Sequence, residues 1–355
     1  MSKKQDSIVE KVETQQTTTV VDEEEFLDQV ERRHWKDVFI SIGKDWRVYV
    51  MMIPMIFFFI CWRYLPMSGL LIAFKKYDGF DVINSDWYGL VGLKTIMFGE
   101  SSAEFWRAFR NTFTLSFYNL VFGFPFPIIL ALLFSEVKNQ AYRSVLQILS
   151  YLPKFVSTVV MTTIVTLLCK FNTVGDNGAI TSYGGPLTML LTSLNLIPAD
   201  FKLMYEPNAF RPIFVISGIW EGAGYGSIVY FAAILSISPT SYEAARMDGA
   251  TKMDQIRNVT IPGISSTLII MLILDIGKLL TIGYEKVLLL YNPYTYETAD
   301  VISTFVYRIG IDSNGGSTIL KSIASSADLF NSVIAMLLVI GSNKIARKVS
   351  DTSLY

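Results

Sequence analysis

The chain has 355 residues, 51% of them hydrophobic and 14% aromatic, with only 17% charged residues and a mean hydropathy of +0.40. Soluble chains carry about a quarter charged residues. The deficit argues against the two soluble domains that length alone would suggest and predicts a membrane protein. A formal net charge of −1 leaves no global basic field for nucleic acid. The single histidine, His34, argues against a Ser-His-Asp triad or a histidine metal site in the membrane.

In chain order, residues 1–21 read as a disordered cytoplasmic tail, with no apolar run of the kind a cleavable signal peptide needs. Residues 22–45 open on Asp22 with Glu25 three positions on, a capping-box-like start. Phe26, Leu27, Val30, Val38 and Phe39 then recur at helical spacing, near Trp35. The expectation is a cytoplasmic amphipathic helix lying on the inner leaflet or on the membrane domain. Residues 46–355 form the predicted membrane domain. A bilayer core of about 30 Å needs about 20 mostly apolar helical residues, and six such stretches occur, near 47–66, 112–134, 149–169, 212–236, 263–283 and 327–346. Open strands are excluded in lipid and barrel alternation is absent. The expected fold is therefore an all-α membrane protein with six transmembrane helices.

The second span holds Pro125 and Pro127, which predict a kink or break. That break serves either simple packing or the lining of a pathway. Cys61 and Cys169 lie in apolar segments and read as small core residues rather than a disulfide. Lys and Arg are denser in the tail and in the segments near 135–148, 237–262 and 347–355 than in the longer loops between them, so the positive-inside rule puts both termini in the cytoplasm. Half of that inside count comes from the tail. In the second outer loop the apolar stretch from Leu187 to Leu196 is too short to span and reads as an interfacial or re-entrant helix.

The segment 238–262 is polar and lies between the fourth and fifth spans. Ser238 before Pro239 is a helix start. The helix "PTSYEAARMD" stops at Gly249, which suits a left-handed end. Thr251 can cap a second short helix with Asp254 answering it, and Met253, Ile256 and Val259 fall on one side of that helix. Pro262 marks the start of the fifth span. Helices this short are marginal in water, so the loop is either an ordinary connector or a unit ordered by something it docks on.

Glu243-Ala244-Ala245, three residues, Gly249, nine residues, then Val259, Ile261 and Pro262 resemble the Glu-Ala-Ala signature of the membrane subunits of binding-protein-dependent ABC importers. Val and Ile stand where that pattern has Ile and Leu, which keeps the apolar character. "YLPMSGLLIAFKKYD", "GFPFPIILALLFSEVKN", "SYLPKF" and "YNPYTYETADVISTFVYRIG" resemble the polysaccharide and oligosaccharide branch of that family. The resemblance runs from about residue 46 to the C-terminus. It implies the importer-permease fold and uptake of carbohydrate across a bacterial cell membrane. It also implies a second, related permease subunit, two ATPase subunits and an extracellular binding protein as partners. The first short helix would sit in a cleft on the ATPase. On that footing the ATPase-coupling residues are Glu243, Ala244, Ala245, Asp248, Gly249 and Pro262. The small alanines allow close approach of a groove, while Glu243, Arg246 and Asp248 supply polar rim contacts. No G-x-x-x-x-G-K-[ST] motif occurs. This chain is therefore expected to bind no cofactor, with ATP and Mg held by the partner ATPases.

Charged groups inside spans mark candidate sites. Lys154 sits near a span end and can snorkel. Glu221 lies among Gly218, Gly222, Gly224 and Gly226, which permit close helix contact or a local break. Asp275 and Lys278, three apart, can pair on one helix face, either as an internal salt bridge or as the polar lining of a cavity. Trp220, Tyr225 and Tyr230 offer aromatic faces to a sugar or to neighbouring helices, and Asn331 can bond across helices or line the cavity. The substrate-pathway candidates are Trp220, Glu221, Tyr225, Asp275, Lys278 and Asn331. Two rivals keep a place: a membrane enzyme acting on lipid-linked substrates, with Glu221 and Asp275 as its sparse acid–base pair, and an ion-coupled secondary transporter using Asp275 and Lys278.

Overall fold

A computed structural model of the protein describes residues 43–77, 79–174, 180–312 and 318–349. The expected tail, 1–21, and the expected amphipathic helix, 22–45 except for its last three residues, lie outside the described residues. The chain divides into two compact units, Met1–Ser68 and Gly69–Tyr355. In the first, the apolar helix α1, Trp46–Phe74, begins; it is 29 residues long and none of its most apolar stretch is buried. Met51 and Trp62 are among its exposed large side chains. A helix that is apolar all round and uncovered is a membrane span.

The second unit opens with a short hairpin, β1 (Lys75–Lys76) paired antiparallel with β2 (Asp86–Trp87), then α2 (Val91–Phe98). α3, Ser102–Glu136, is a 35-residue span. The break expected at Pro125 and Pro127 takes the form of a π-turn over Asn119–Gly123, immediately before Pro125. A proline has no N–H to give to the preceding turn, and the wider turn absorbs that loss without ending the helix. Beyond it come α4 (Gln140–Phe155) and α5 (Thr158–Leu168), bent by 99° at their junction.

This junction corrects the expected span at 149–169, which is not one helix. Val156 is extended, and the Ser157 hydroxyl accepts the Val160 N–H at 3.4 Å, starting a new helix. A second hairpin, β3 (Thr173–Val174) with β4 (Ile180–Ser182), and α6 (Pro186–Ser193) follow. The helix α6 covers most of the short apolar stretch from Leu187 to Leu196. The two hairpins are the small departure from an all-α chain.

α7, Pro207–Leu235, is the fourth span and continues past a 70° bend into α8, Pro239–Met247. α9 (Lys252–Gly263) and α10 (Ser265–Gly277) meet at 65° and form the fifth. Its expected end at 283 is corrected to Gly277. A short helix α11, Tyr284–Leu290, follows, with Val287 and Leu290 buried. α12 (Ile302–Tyr307) and α13 (Thr318–Val349) complete the chain.

Three buried clusters tie the second unit together. Phe105 of α3 meets Phe305 of α12 at 6.1 Å and Phe330 of α13 at 5.5 Å between ring centroids. Leu115, Val165, Phe214 and Val287 join α3, α5, α7 and α11. Ala131, Tyr230, Ile234 and Ile264 join α3, α7 and α10. Of the glycines of α7, Gly224 has a clear packing function: a Cβ there would collide with the Ser150 carbonyl of α4, whereas one on Gly222 would meet nothing. Cys61 and Cys169 are both free thiols, and Cys169 is buried.

Candidate functional site

Two regions concentrate chemistry. The first is the loop 238–262. α8 has no buried residue. Gly249 ends it with φ +78 and open space around the missing side chain, a left-handed conformation that costs other residues about 1–2 kcal/mol. Beyond it the Thr251 hydroxyl accepts the Asp254 N–H at 3.3 Å, and the Asp254 carboxylate accepts the Thr251 N–H at 3.0 Å, closing a reciprocal capping box. The Thr251 hydroxyl also donates to the Asp254 carboxylate at 2.5 Å, and this bond first, then the one from the Thr251 N–H, holds the Asp254 carboxyl below the ordinary aspartate range. The expected hydroxyl cap at Ser238 is not made. Its Oγ lies 2.7 Å from the Thr240 hydroxyl instead.

The loop is fastened at its root. The Tyr242 hydroxyl lies 3.1 Å from the Thr260 hydroxyl, Gln255 is buried, and Lys252 pairs with Glu136 of α3 at 2.7 Å. Glu243, Ala244, Ala245 and Asp248 sit on the uncovered helix or at its end, and Met247 and Met253 are 88% and 70% exposed. Pro262 lies in the last turn of α9, at the bend into α10.

The second region is a pair of adjoining hollows of 390 and 400 Å³. Asn119, Phe214, Gly218, Gly222 and Gly283 line both. One contains Asp275 and Lys278, which pair at 3.8 Å, with Tyr230 on its wall. The other contains Glu221, whose two oxygens accept from Lys154 of α4 at 3.2 Å and Lys286 of α11 at 3.4 Å. One carboxylate thus fastens α4, α7 and α11.

Of the expected pathway residues, Glu221, Asp275 and Lys278 line the hollows. Trp220 and Tyr225 do not, and they are 46% and 48% exposed. Asn331 is buried and donates to the Leu280 carbonyl at 2.9 Å, outside both hollows. The acid–base pair that a membrane enzyme would need is not assembled, because Glu221 and Asp275 each face lysines in separate hollows. Among the described residues no group of three His, Cys, Asp or Glu is placed to hold a metal.

Asn119 and Lys286 are additions to the sequence reading. Asn119 begins the π-turn and lines both hollows. A lone amide in an apolar span was the available signal. Lys286 was hidden because the fifth span seemed to run to 283, which put Lys286 in an outer loop rather than in a short helix folded back into the core.

The model of the family described as binding-protein-dependent transport system inner membrane component matches residues 123–342. The chain belongs to that family: it is a permease component of an ABC transporter, not the ATPase, and a multi-pass protein of the cell membrane. It is 35% identical to Protein LplB of Bacillus subtilis strain 168, over 89% of this chain and 93% of that one. It is 32% identical to the polygalacturonan/rhamnogalacturonan transport system permease protein YteP of the same organism, over 90% and 94%. A crystal structure of a bacterial alginate ABC transporter, in complex with alginate pentasaccharide-bound periplasmic protein, has a chain of the same fold. It matches with a TM-score of 0.75 and 38% identity, over 91% of this chain and 100% of that one.

Proposed function

We propose that this chain forms part of the pathway of an ATP-driven importer of oligo- or polysaccharides, and that residues 238–262 receive the motion of the ATPase. The cargo class rests on the named cargo of the relatives and on hollows lined by amide, hydroxyl and mostly paired ionic groups. The observation that carries the coupling reading is α8: a helix with no buried residue, jointed at Gly249 and fastened at its root to α3 and α9. A push on Glu243, Ala244, Ala245 or Asp248 would pass through that root to Pro262 and the fifth span.

The complete transporter would contain a second homologous permease, two ATPase subunits that hold ATP and Mg, and an external binding protein. Both termini and 238–262 would face the cytoplasm. ATP and the loaded binding protein each favour the outward-facing state, since only differential binding moves a conformational equilibrium. Glu221, Asp275 and Lys278, joined by Asn119 and Lys286, line the pathway in this reading. Trp220 and Tyr225 would face the second permease, and Asn331 packs helices.

Co-expression with the ATPase tests the reading. Glu243→Lys is expected to weaken ATPase association roughly tenfold, about 1.4 kcal/mol, and to lower uptake with it. Normal association and normal uptake in Glu243→Lys would remove the coupling role. Uptake that follows an ion gradient without ATP would favour the secondary transporter. A cysteine at Ser241, in a background without Cys61 and Cys169, should react only with reagent applied from the cytoplasm.

A further inference from the structure

A third hollow, of 240 Å³, lies at the far ends of the same two helices, α5 and α11, that border the Glu221 hollow. Thr158 and Lys286 belong to the inner hollow, whereas Thr166 and Leu290 belong to this one. Phe171 and Tyr205 line it and meet at 6.1 Å and 78°, and Tyr205 in turn meets Tyr294, outside the lining, at 5.6 Å and 64°. Tyr205 and Tyr294 are 42% and 70% exposed. Among the described residues, Lys170 is the only charged one lining the hollow, and Lys202 holds its ammonium 5.4 Å over the Phe171 ring.

Each inner lysine has a carboxylate partner: Lys154 and Lys286 share Glu221, and Lys278 pairs with Asp275. Among the described residues Lys170 and Lys202 have no ion-pair partner. Nearby Glu206 is engaged by the Asn208 amide at 3.3 Å, and Asp200 is not part of the lining. The backbone around the hollow is fixed. The Lys170 carbonyl accepts the Gly185 N–H at 2.7 Å, the Asn172 side chain accepts the Gly184 N–H at 2.7 Å, and Asn292 donates to the Met204 carbonyl at 2.7 Å. Gly184 and Gly185 allow that approach, since a Cβ on either would strike the Lys170 or Leu167 carbonyl.

We propose that this hollow is an outer binding site for one sugar unit bearing a carboxylate. Tyr205 offers its negative face to the positively polarised C–H edge of the ring, Thr166 offers a hydroxyl, and Lys170, with Lys202 beside it, takes the carboxylate. The hollow has room for one pyranose, and its alignment with the inner hollows along α5 and α11 suits an extended acidic oligomer fed in end first. This inference rests on the carbohydrate reading above and sharpens it to acidic sugars.

The test uses the whole transporter in lipid nanodiscs, titrated with trigalacturonate and with neutral maltotriose, alongside uptake in proteoliposomes. Lys170→Gln is expected to weaken trigalacturonate binding roughly tenfold and to leave maltotriose unchanged. Added salt should weaken trigalacturonate binding to the unaltered transporter and much less to Lys170→Gln. Tyr205→Ala should weaken both sugars. Unchanged trigalacturonate affinity in both variants overturns the site. So does a loss of affinity for the sugar-free binding protein with sugar affinity intact, which would make the surface a protein-docking face. If the unaltered transporter moves maltotriose but neither binds nor moves trigalacturonate, the acidic site falls and the carbohydrate reading stands. If it moves no carbohydrate at all, the carbohydrate reading falls with it.

Discussion

The buried cluster around Asp300 and the loop 238–262 are built on opposite plans. Asp300 is fully buried, takes a two-pronged contact from Arg308 at 2.9 and 2.8 Å, accepts from the Thr304 hydroxyl at 2.9 Å and has Arg107 at 3.6 Å. The Asn111 amide donates to the Asp300 carbonyl at 3.1 Å and to that of Glu297 at 2.9 Å, and Arg211 donates to Asn111 at 3.0 Å. These bonds join residues about 100 to 190 positions apart, and hydrogen bonding to Asp300 pushes the Arg308 guanidinium still higher. The loop has almost nothing of the kind. Its bonds reach only a few residues, apart from Tyr242 to Thr260 and Lys252 to Glu136. One region is held by a buried ion pair tied in by long-range hydrogen bonds. The other is shaped locally and anchored only at its root, as suits a part whose final position is set by another protein.

Removing the charge at the centre of the rigid region breaks the comparison most severely. Asp300→Ala leaves two arginines facing an emptied site, and losing one partner of a buried pair costs about 3–5 kcal/mol. A drop of that size in the unfolding stability of the purified transporter is expected, with poor membrane yield. A variant as stable as the parent would mean that the cluster is not a clamp.

Glu221 lies between the two plans: partly buried and ionic, yet facing a hollow. Glu221→Gln releases Lys154 and Lys286 and is expected to cost about 1.5–3 kcal/mol, less than Asp300→Ala, while lowering uptake more than stability. If stability and uptake fell together, Glu221 would be another clamp and no part of a pathway.

These two sites also separate what the residues announced from what they concealed. Glu221 among four glycines announced itself because a carboxylate in a span needs a reason. Its partners did not. Lys154 read as a snorkelling end residue and Lys286 as part of an outer loop, since helical periodicity says nothing about which chain segments fold back on one another. The clamp was invisible for the same reason: Asn111, Arg211 and Asp300 are ordinary polar residues until topology joins them. The loop was the opposite case. Its glycine joint and its Thr251–Asp254 box depend on neighbours in the chain, so sequence carries them almost entirely. The break before Ser157 was missed because an apolar run hides a cap inside it.

Gly249 tests the local plan directly. Valine there must adopt φ +78 against its β-branched side chain, costing about 1–2 kcal/mol, whereas asparagine tolerates that region. Since nothing lies within 4 Å of an added Cβ, bulk alone should do no harm. ATPase association is expected to fall in the order glycine, asparagine, valine. Equal losses for asparagine and valine would point to a contact at Gly249 rather than to the joint.

The smallest effect is expected at Thr251. Thr251→Val removes the hydroxyl that caps α9, at a cost of about 1 kcal/mol, confined to the loop because little long-range packing stands behind it. Hydrogen exchange of the amides just after Thr251, corrected for intrinsic rate, should quicken about fivefold while the amides near Asp300 keep their protection. The effect carries a pH signature. The folded state lowers the Asp254 pKa, so its contribution is complete above the ordinary aspartate range and is lost as pH falls through the lowered folded value. Between about pH 6 and 8 the parent and Thr251→Val should differ by a constant amount, and below about pH 4 the gap should narrow as the parent's carboxylate protonates. A gap that held constant down through that range would show that the hydroxyl alone, and not the reciprocal box, fixes the start of the helix.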